Sequence, residues 1–213
     1  MAEVVLRETV LRDGTRATVL PARIEDRELL RVGYDHLSAE SQFHRFLTPV
    51  PHLSDAMLHR LVDGIDWIDH VALVLAVQPE GRPEQKVAVA RVIRYEKHPT
   101  DADVAVTVMD EWQGLGIAGI LLDELMRLRP PGLIRLVTEV ADDNPAALAM
   151  LRRLGDLTAT STERGSFVVE IDLPPRPQLD LPQPSSQPVS RDSRAAARPS
   201  STPAEKYSSS KKR

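Results

Sequence analysis

Residues Val104 to Leu122 read VAVTVMDEWQGLGIAGILL, and this stretch constrains the chain more than any other. An apolar strand runs into a polar turn, then a glycine-punctuated loop, then an amphipathic helix. Gly114, Gly116 and Gly119 lack the Cβ that would hold backbone away from a ligand. A helix opening on such a loop offers free N–H groups and the positive end of its dipole, which suits a phosphate-bearing ligand. A tight strand–helix turn without a ligand is the bland alternative, but three small residues at this spacing serve close approach rather than packing.

The 213 residues suit one domain and an appendage. The boundary is expected near Pro174: residues 174–213 hold eight of the 17 prolines amid Ser, Gln and Arg. Such a segment buries too little apolar surface to offset chain entropy and is expected to be disordered. It carries eight basic and three acidic side chains, leaving 19 basic and 28 acidic on residues 1–173. That acidic body argues against nucleic-acid binding by the fold. No cysteine is present, so disulfides, thiolate zinc sites and a cysteine nucleophile are excluded. No apolar run behind a basic start marks a signal peptide, and no run spans a membrane. A cytoplasmic protein is expected. The six histidines show no metal-ligand spacing, and no metal is expected.

Asp13-Gly14 between two apolar-rich runs reads as a hairpin. Glu25–Leu37 reads as a helix with Leu29, Leu30, Tyr34 and Leu37 on one face, and a second helix starts at the cap Ser54 and ends at Gly64. Three runs, 71–77, 87–95 and 102–108, are joined by short links and so predict antiparallel strands. A helix from Gly114 to Leu128 follows, then a strand 133–140, a helix 144–154 and a last strand 166–173. The expected class is mixed α/β, with a mostly antiparallel central sheet and flanking helices.

The pattern Gln113-x-x-Gly116-x-Ala118, placed after the third central strand, resembles the acyl-CoA pyrophosphate loop of the GCN5-related N-acetyltransferases. Three further segments agree with it: 11–15 followed by 21–26, then 37–47, and 143–155. The resemblance covers residues 10–173 and is closest to the bacterial protein-lysine acetyltransferase branch. It implies a domain over 1–173 that uses acetyl-CoA and passes the acyl group directly to an amine, a protein lysine foremost. The cyclic-nucleotide or synthetase-like domain of some members is not expected here. Gln113, Gly114, Leu115, Gly116, Ile117, Ala118 and Gly119 would hold the pyrophosphate. Val106, Thr107 and Val108 would line the pantetheine, with Val106 and Val108 offering backbone groups, and Asn144 would sit beside the same arm. This requires the strands 104–108 and 133–140 to splay.

Transfer to a lysine needs its ammonium, of pKa about 10.4, to lose a proton. The branch carries a Glu four residues before the central Thr of this strand, and here that position is Asp103, the candidate base. A strand-end surface acid is the alternative. A backbone N–H of 106–108 would bind the oxyanion. Where many relatives place a general-acid Tyr, this chain has Leu151. Acetylation of a small amine, or a weakened acyl-CoA sensor, are the other functions left open. Gly114 to Gly119 also spells Gly-x-Gly-x-x-Gly, with Glu139 20 residues on, as in a dinucleotide fold. There the strand would run straight into the first glycine, whereas Met109 to Gln113 intervene, and too few residues follow for a parallel sheet.

Overall fold

The structure, a computed structural model, describes residues 4–175. Past Pro175 the expected tail lies outside the described residues. One eight-stranded sheet has the order β1-β2-β3-β4-β5-β6-β8-β7. The strands are β1 (Arg7–Val10), β2 (Arg16–Pro21), β3 (His70–Gln78), β4 (Gln85–Arg94), β5 (Asp101–Val108), β6 (Arg135–Ala141), β7 (Leu157–Ser161) and β8 (Ser166–Asp172). The helices are α1 (Arg27–Asp35), α2 (Ala39–Phe46), α3 (Asp55–Leu58, continued by a π-helical turn to Asp63), α4 (Ile117–Leu128) and α5 (Pro145–Leu151). Among the described strands only β5 and β6 pair in parallel.

β3 is apolar throughout because both of its faces are covered. Val71, Leu73, Leu75 and Val77 pack with Ile117, Leu121, Leu122 and Leu125 of α4 in the main core. Ala72, Val74 and Ala76 turn the other way, onto Leu20 and Ala22. Beyond them α1–α3 enclose a third cluster of Tyr34, Leu37, Leu53 and Leu58. α4 therefore covers one face, and α1–α3 close over the other. The pair Pro130-Pro131 ends α4, since Arg129 before a proline leaves the helical region, with ψ 151°.

The expected strands and helices are present, with differences of detail. α2 was not expected as a helix, although Ser38 caps it by accepting from Ser41 N–H. β7 was not expected either; it is an edge strand whose residues, all but Leu157, are exposed and mostly polar. Leu29 is exposed rather than inward, and α5 stops at Leu151, three residues early.

Candidate active site

The slot at the centre of the sheet comes from a strand pair that barely forms. β5 and β6 are in register only at Asp101–Arg135 and Ala102–Leu136. Beyond that, β5 stays paired to β4 as far as Val108. Met109 N–H donates to the Val87 carbonyl, and the Asp101 carbonyl accepts from Tyr95. Backbone groups alternate along a strand, so odd-numbered residues of β5 face β4 and even-numbered ones face β6. The Val104 carbonyl is met by the Thr138 hydroxyl at 3.1 Å and the Val108 carbonyl by the Gln113 amide at 3.3 Å. Val106 N–H and C=O and Val108 N–H line the open edge without a ladder partner. Such groups suit an amide-bearing chain lying along the strand.

The slot opens onto the start of α4. Gly114 and Gly116 take φ of +77° and +88°, which residues with a Cβ rarely adopt. The first α-helical hydrogen bond runs from Ile120 N–H to the Gly116 carbonyl, leaving the N–H groups of Ile117, Ala118 and Gly119 without intrahelical acceptors. Two arginines converge there. Arg12, from the β1–β2 hairpin, donates to the Gly114 carbonyl at 3.3 Å, and its Nε lies 3.4 Å from where a Gly116 Cβ would be. Nη1 of Arg153 lies 2.8 Å from the corresponding point on Gly119. Cations at the positive end of a helix repel it, and an anion between them reverses the sign. Loop, helix end and arginines thus fit a pyrophosphate, and the open edge fits a pantetheine.

On the face of β5 opposite α4 lie Asp103, Ala105 and Thr107, opposite Ile93, Arg91 and Val89 of β4. A largely apolar cavity spreads over this face, beneath Leu30, Tyr34 and Phe46, and is lined also by Thr107, Arg45 and Arg91. Arg91 is 4% exposed and donates to the Leu61 carbonyl at 2.5 Å. Burial, then the nearby Arg45, pushes its pKa down to about 9. Burial lowers Arg45 too, against the pull of Asp103 and Tyr34; its guanidinium sits 4.7 Å from the centre of the Phe46 ring. Asp103 is raised above the usual carboxylate range by burial, against the Thr138 hydroxyl, Arg45, its neighbour's backbone and Arg91. A carboxylate so placed holds a proton more readily than an exposed one, which suits a base.

α2 is tied to both flanks of the slot. At its N-terminal end, Asp110 accepts from Ser38 N–H at 2.6 Å and the Ser41 hydroxyl at 2.5 Å, and from the Gln113 amide at 3.0 Å. Burial would raise Asp110, but these donors hold it below its ordinary value. At its last turn, His44 Nε2 meets Asp143 Oδ1 at 2.9 Å.

The structure thus brings Val106, Val108, Gly114, Gly116 and the α4 start to one slot. Thr107 lines the cavity on the other face. Leu115 gives its carbonyl to Arg12 N–H at 3.4 Å, and Ile117 is buried in the core. The Gln113 amide ties the loop to Ser41 and Asp110. Asn144 accepts from Ala147 N–H and caps α5. Glu139, the acid of the dinucleotide alternative, accepts from the Ser166 hydroxyl on β8. Sequence reasoning assigned no site role to Arg12, Arg91 or Asp110; for Arg45 the signal was its place between Phe43 and Phe46 in the 37–47 segment, which the resemblance puts on the acceptor side. Among the described residues no cluster of three His, Asp or Glu is placed to hold a metal, and no helix is long and apolar enough to cross a membrane.

The family model described as "Acetyltransferase (GNAT) family" matches residues 42–156. The chain is 31% identical over 166 residues to "Acetyltransferase Pat" of Mycolicibacterium smegmatis, covering 78% of this chain and 48% of that protein. It is 33% identical over 116 residues to "Acetyltransferase PA5475" of Pseudomonas aeruginosa, covering 54% of this chain and 61% of that one. The chain thus spans about half to three-fifths of the length of the curated relatives it matches. Among solved structures, the GNAT domain of S. lividans PAT superposes with a TM-score of 0.66 at 32% identity, over 78% of this chain and 96% of that domain. The fold is shared as well with yncA of Salmonella typhimurium, solved with acetyl-CoA, at a TM-score of 0.58, 18% identity and 77% and 98% coverage.

Proposed function

The chain belongs to the acetyltransferase (GNAT) family, and on that premise we propose that it transfers the acetyl group of acetyl-CoA directly to an amine, a lysine side chain of a protein in the cytoplasm. The single observation that supports the cofactor most strongly is the slot: a β5 edge left open after two residue pairs, leading to a helix start flanked by Arg12 and Arg153. Acetyl-CoA supplies the acetyl group as an activated thioester. Val106 and Val108 orient the pantetheine by strand-like hydrogen bonds, and the N–H groups of Ile117 to Gly119 with the two arginines hold the pyrophosphate. Asp103 takes a proton from the acceptor ammonium. Arg45 and Arg91 beside it lower the pKa of that ammonium by like-charge repulsion. A backbone N–H of 106–108 stabilises the oxyanion.

One observation favours a second reading. Two guanidiniums, Arg91 buried and Arg45 half-buried, beside a single carboxylate leave the cavity floor positive, which suits a small amine that itself carries a carboxylate. Calorimetry with acetyl-CoA, CoA and NAD tests the cofactor; binding of NAD alone would overturn it. Turnover with lysine peptides and with amino acids then separates the acceptors. Asp103→Asn is expected to cut kcat by about 10²-fold or more at neutral pH without weakening CoA binding; full turnover would remove Asp103 from the chemistry.

A further inference from the structure

The general-acid position of many relatives holds Leu151 here, 3% exposed and packed in the main core, so it supplies no proton to a departing thiolate. Another group stands at the slot. α2 crosses its mouth, tied at one end to Asp110 and Gln113 after β5 and at the other to Asp143 after β6. Two consecutive residues of its last turn look different ways. Arg45 lines the acceptor cavity near Asp103. His44 reaches across to Asp143, beside Asn144 at the start of α5, with its side chain 16% exposed. With the amine entering by the cavity that Arg45 lines and the pantetheine arm lying beside Asn144, as the acetyl-CoA reading has it, the sulfur falls to the half of the site that His44 borders.

We propose that His44, held by Asp143, is the general acid of the acyl transfer, an inference that rests on the acetyl-CoA reading above. With Nε2–H given to the Asp143 carboxylate, the proton that His44 passes on is the one on Nδ1. Along its own helix the charged neighbours are Arg45 and, one turn back, Glu40. As the carbon–sulfur bond breaks, its electron pair goes to sulfur and His44 gives sulfur the Nδ1 proton. The acceptor ammonium has already lost one proton to Asp103. The nitrogen sheds a second as the amide forms, and that proton returns to Nδ1 of His44 through solvent, so the turnover releases one proton net.

The test compares CoA with desulfo-CoA, which lacks only the sulfur, by calorimetry at neutral pH. The wild-type chain is expected to bind CoA the more tightly. His44→Gln is expected to weaken CoA by about tenfold, the worth of one charge-assisted hydrogen bond, and to leave desulfo-CoA within about twofold. kcat should fall by about a hundredfold, the low end for a lost proton donor, with KM for acetyl-CoA little changed. Asp143→Asn should shift the same quantities in the same direction by less, and it serves as the second variant should His44→Gln melt early. Equal weakening of both ligands would make His44 a mere strap and overturn the proposal, as would no weakening of either. Failure of the wild-type chain to bind either ligand would instead overturn the acetyl-CoA reading, and this proposal with it.

Discussion

Gly116→Ala and Gly119→Ala sit three residues apart, one at the N-cap and one in the first turn of α4, and should behave oppositely in stability. Gly116 is the N-cap of α4 with φ +88°. An alanine held in that region costs about 1–2 kcal/mol, and its methyl would lie 3.4 Å from Arg12 Nε, tight enough that the arginine must give. For a domain of this size, about 1–2 kcal/mol corresponds to a Tm lower by ~3–6 °C. Gly119 has ordinary helical φ, and the one atom in its way is Nη1 of Arg153, the tip of a side chain that is 61% exposed and can swing aside. Replacing a helical glycine by alanine there should raise stability by about 0.5–1 kcal/mol. Both methyls would crowd the N–H groups that face the pyrophosphate, so both variants should bind CoA at least ~10-fold more weakly, as loss of one hydrogen bond to a charged group would. Scanning calorimetry without ligand and isothermal titration with CoA read the two effects separately. If Gly119→Ala loses as much stability as Gly116→Ala, or if either keeps full CoA affinity, the geometry assigned to this loop is wrong.

The remaining predictions concern charge and packing. His70 is buried, and desolvation, then Arg91, lowers its pKa to about 4. Its folded pKa lies below the unfolded 6.5, so its contribution to stability is complete above pH 6.5 and is lost as pH falls to 4. That is about 3 kcal/mol over the window, and His70→Gln should flatten denaturant midpoints measured across it. Asp110→Ala removes the acceptor shared by Ser38, Ser41 and Gln113; α2 should loosen by about 1–2 kcal/mol, seen as faster hydrogen exchange over 38–46. An alanine at Gly155 would place its Cβ against the backbone carbonyl of Asp172. Strand β8 cannot yield as a side chain does, and Gly155→Ala should cost about 2 kcal/mol or more, read by urea unfolding. Asp103, with its carboxyl raised by burial, should give a kcat/KM that climbs with pH through a limb above the ordinary carboxylate range. Asp103→Asn should abolish that limb.

What the sequence disclosed and what it hid follow from range. The apolar run of β3 and the glycine loop are local signals, as their physics acts within a few residues. The open edge at Val106 and Val108 was anticipated through the family resemblance, because strand composition alone does not say where pairing stops. α2 hid because AESQFHRF has no buried residue to set a helical period; its anchors, Asp110 and Asp143, lie about 70 and 100 positions along the chain. β7 hid for the complementary reason, since an edge strand with a solvent face needs no apolar alternation. Arg12 and Arg91 are invisible as site residues until the hairpin and β4 bring them to the loop and the cavity floor.

The two-pair seam between β5 and β6 also makes the sheet an unfinished one. Five strands lie on one side of it and three on the other, held together along most of their length by side chains and by α4. A ligand whose amides pair with Val106 and Val108 becomes in effect a ninth strand, inserted rather than added at an edge. Such a ligand belongs to the fold as well as to the reaction. At 100 times its Kd it would raise global stability by about 2.7 kcal/mol, and the amides of Val106 and Val108 should pass from unprotected to protected against exchange. The empty chain, with its central seam unpaired, would be the form that opens first under heat or protease.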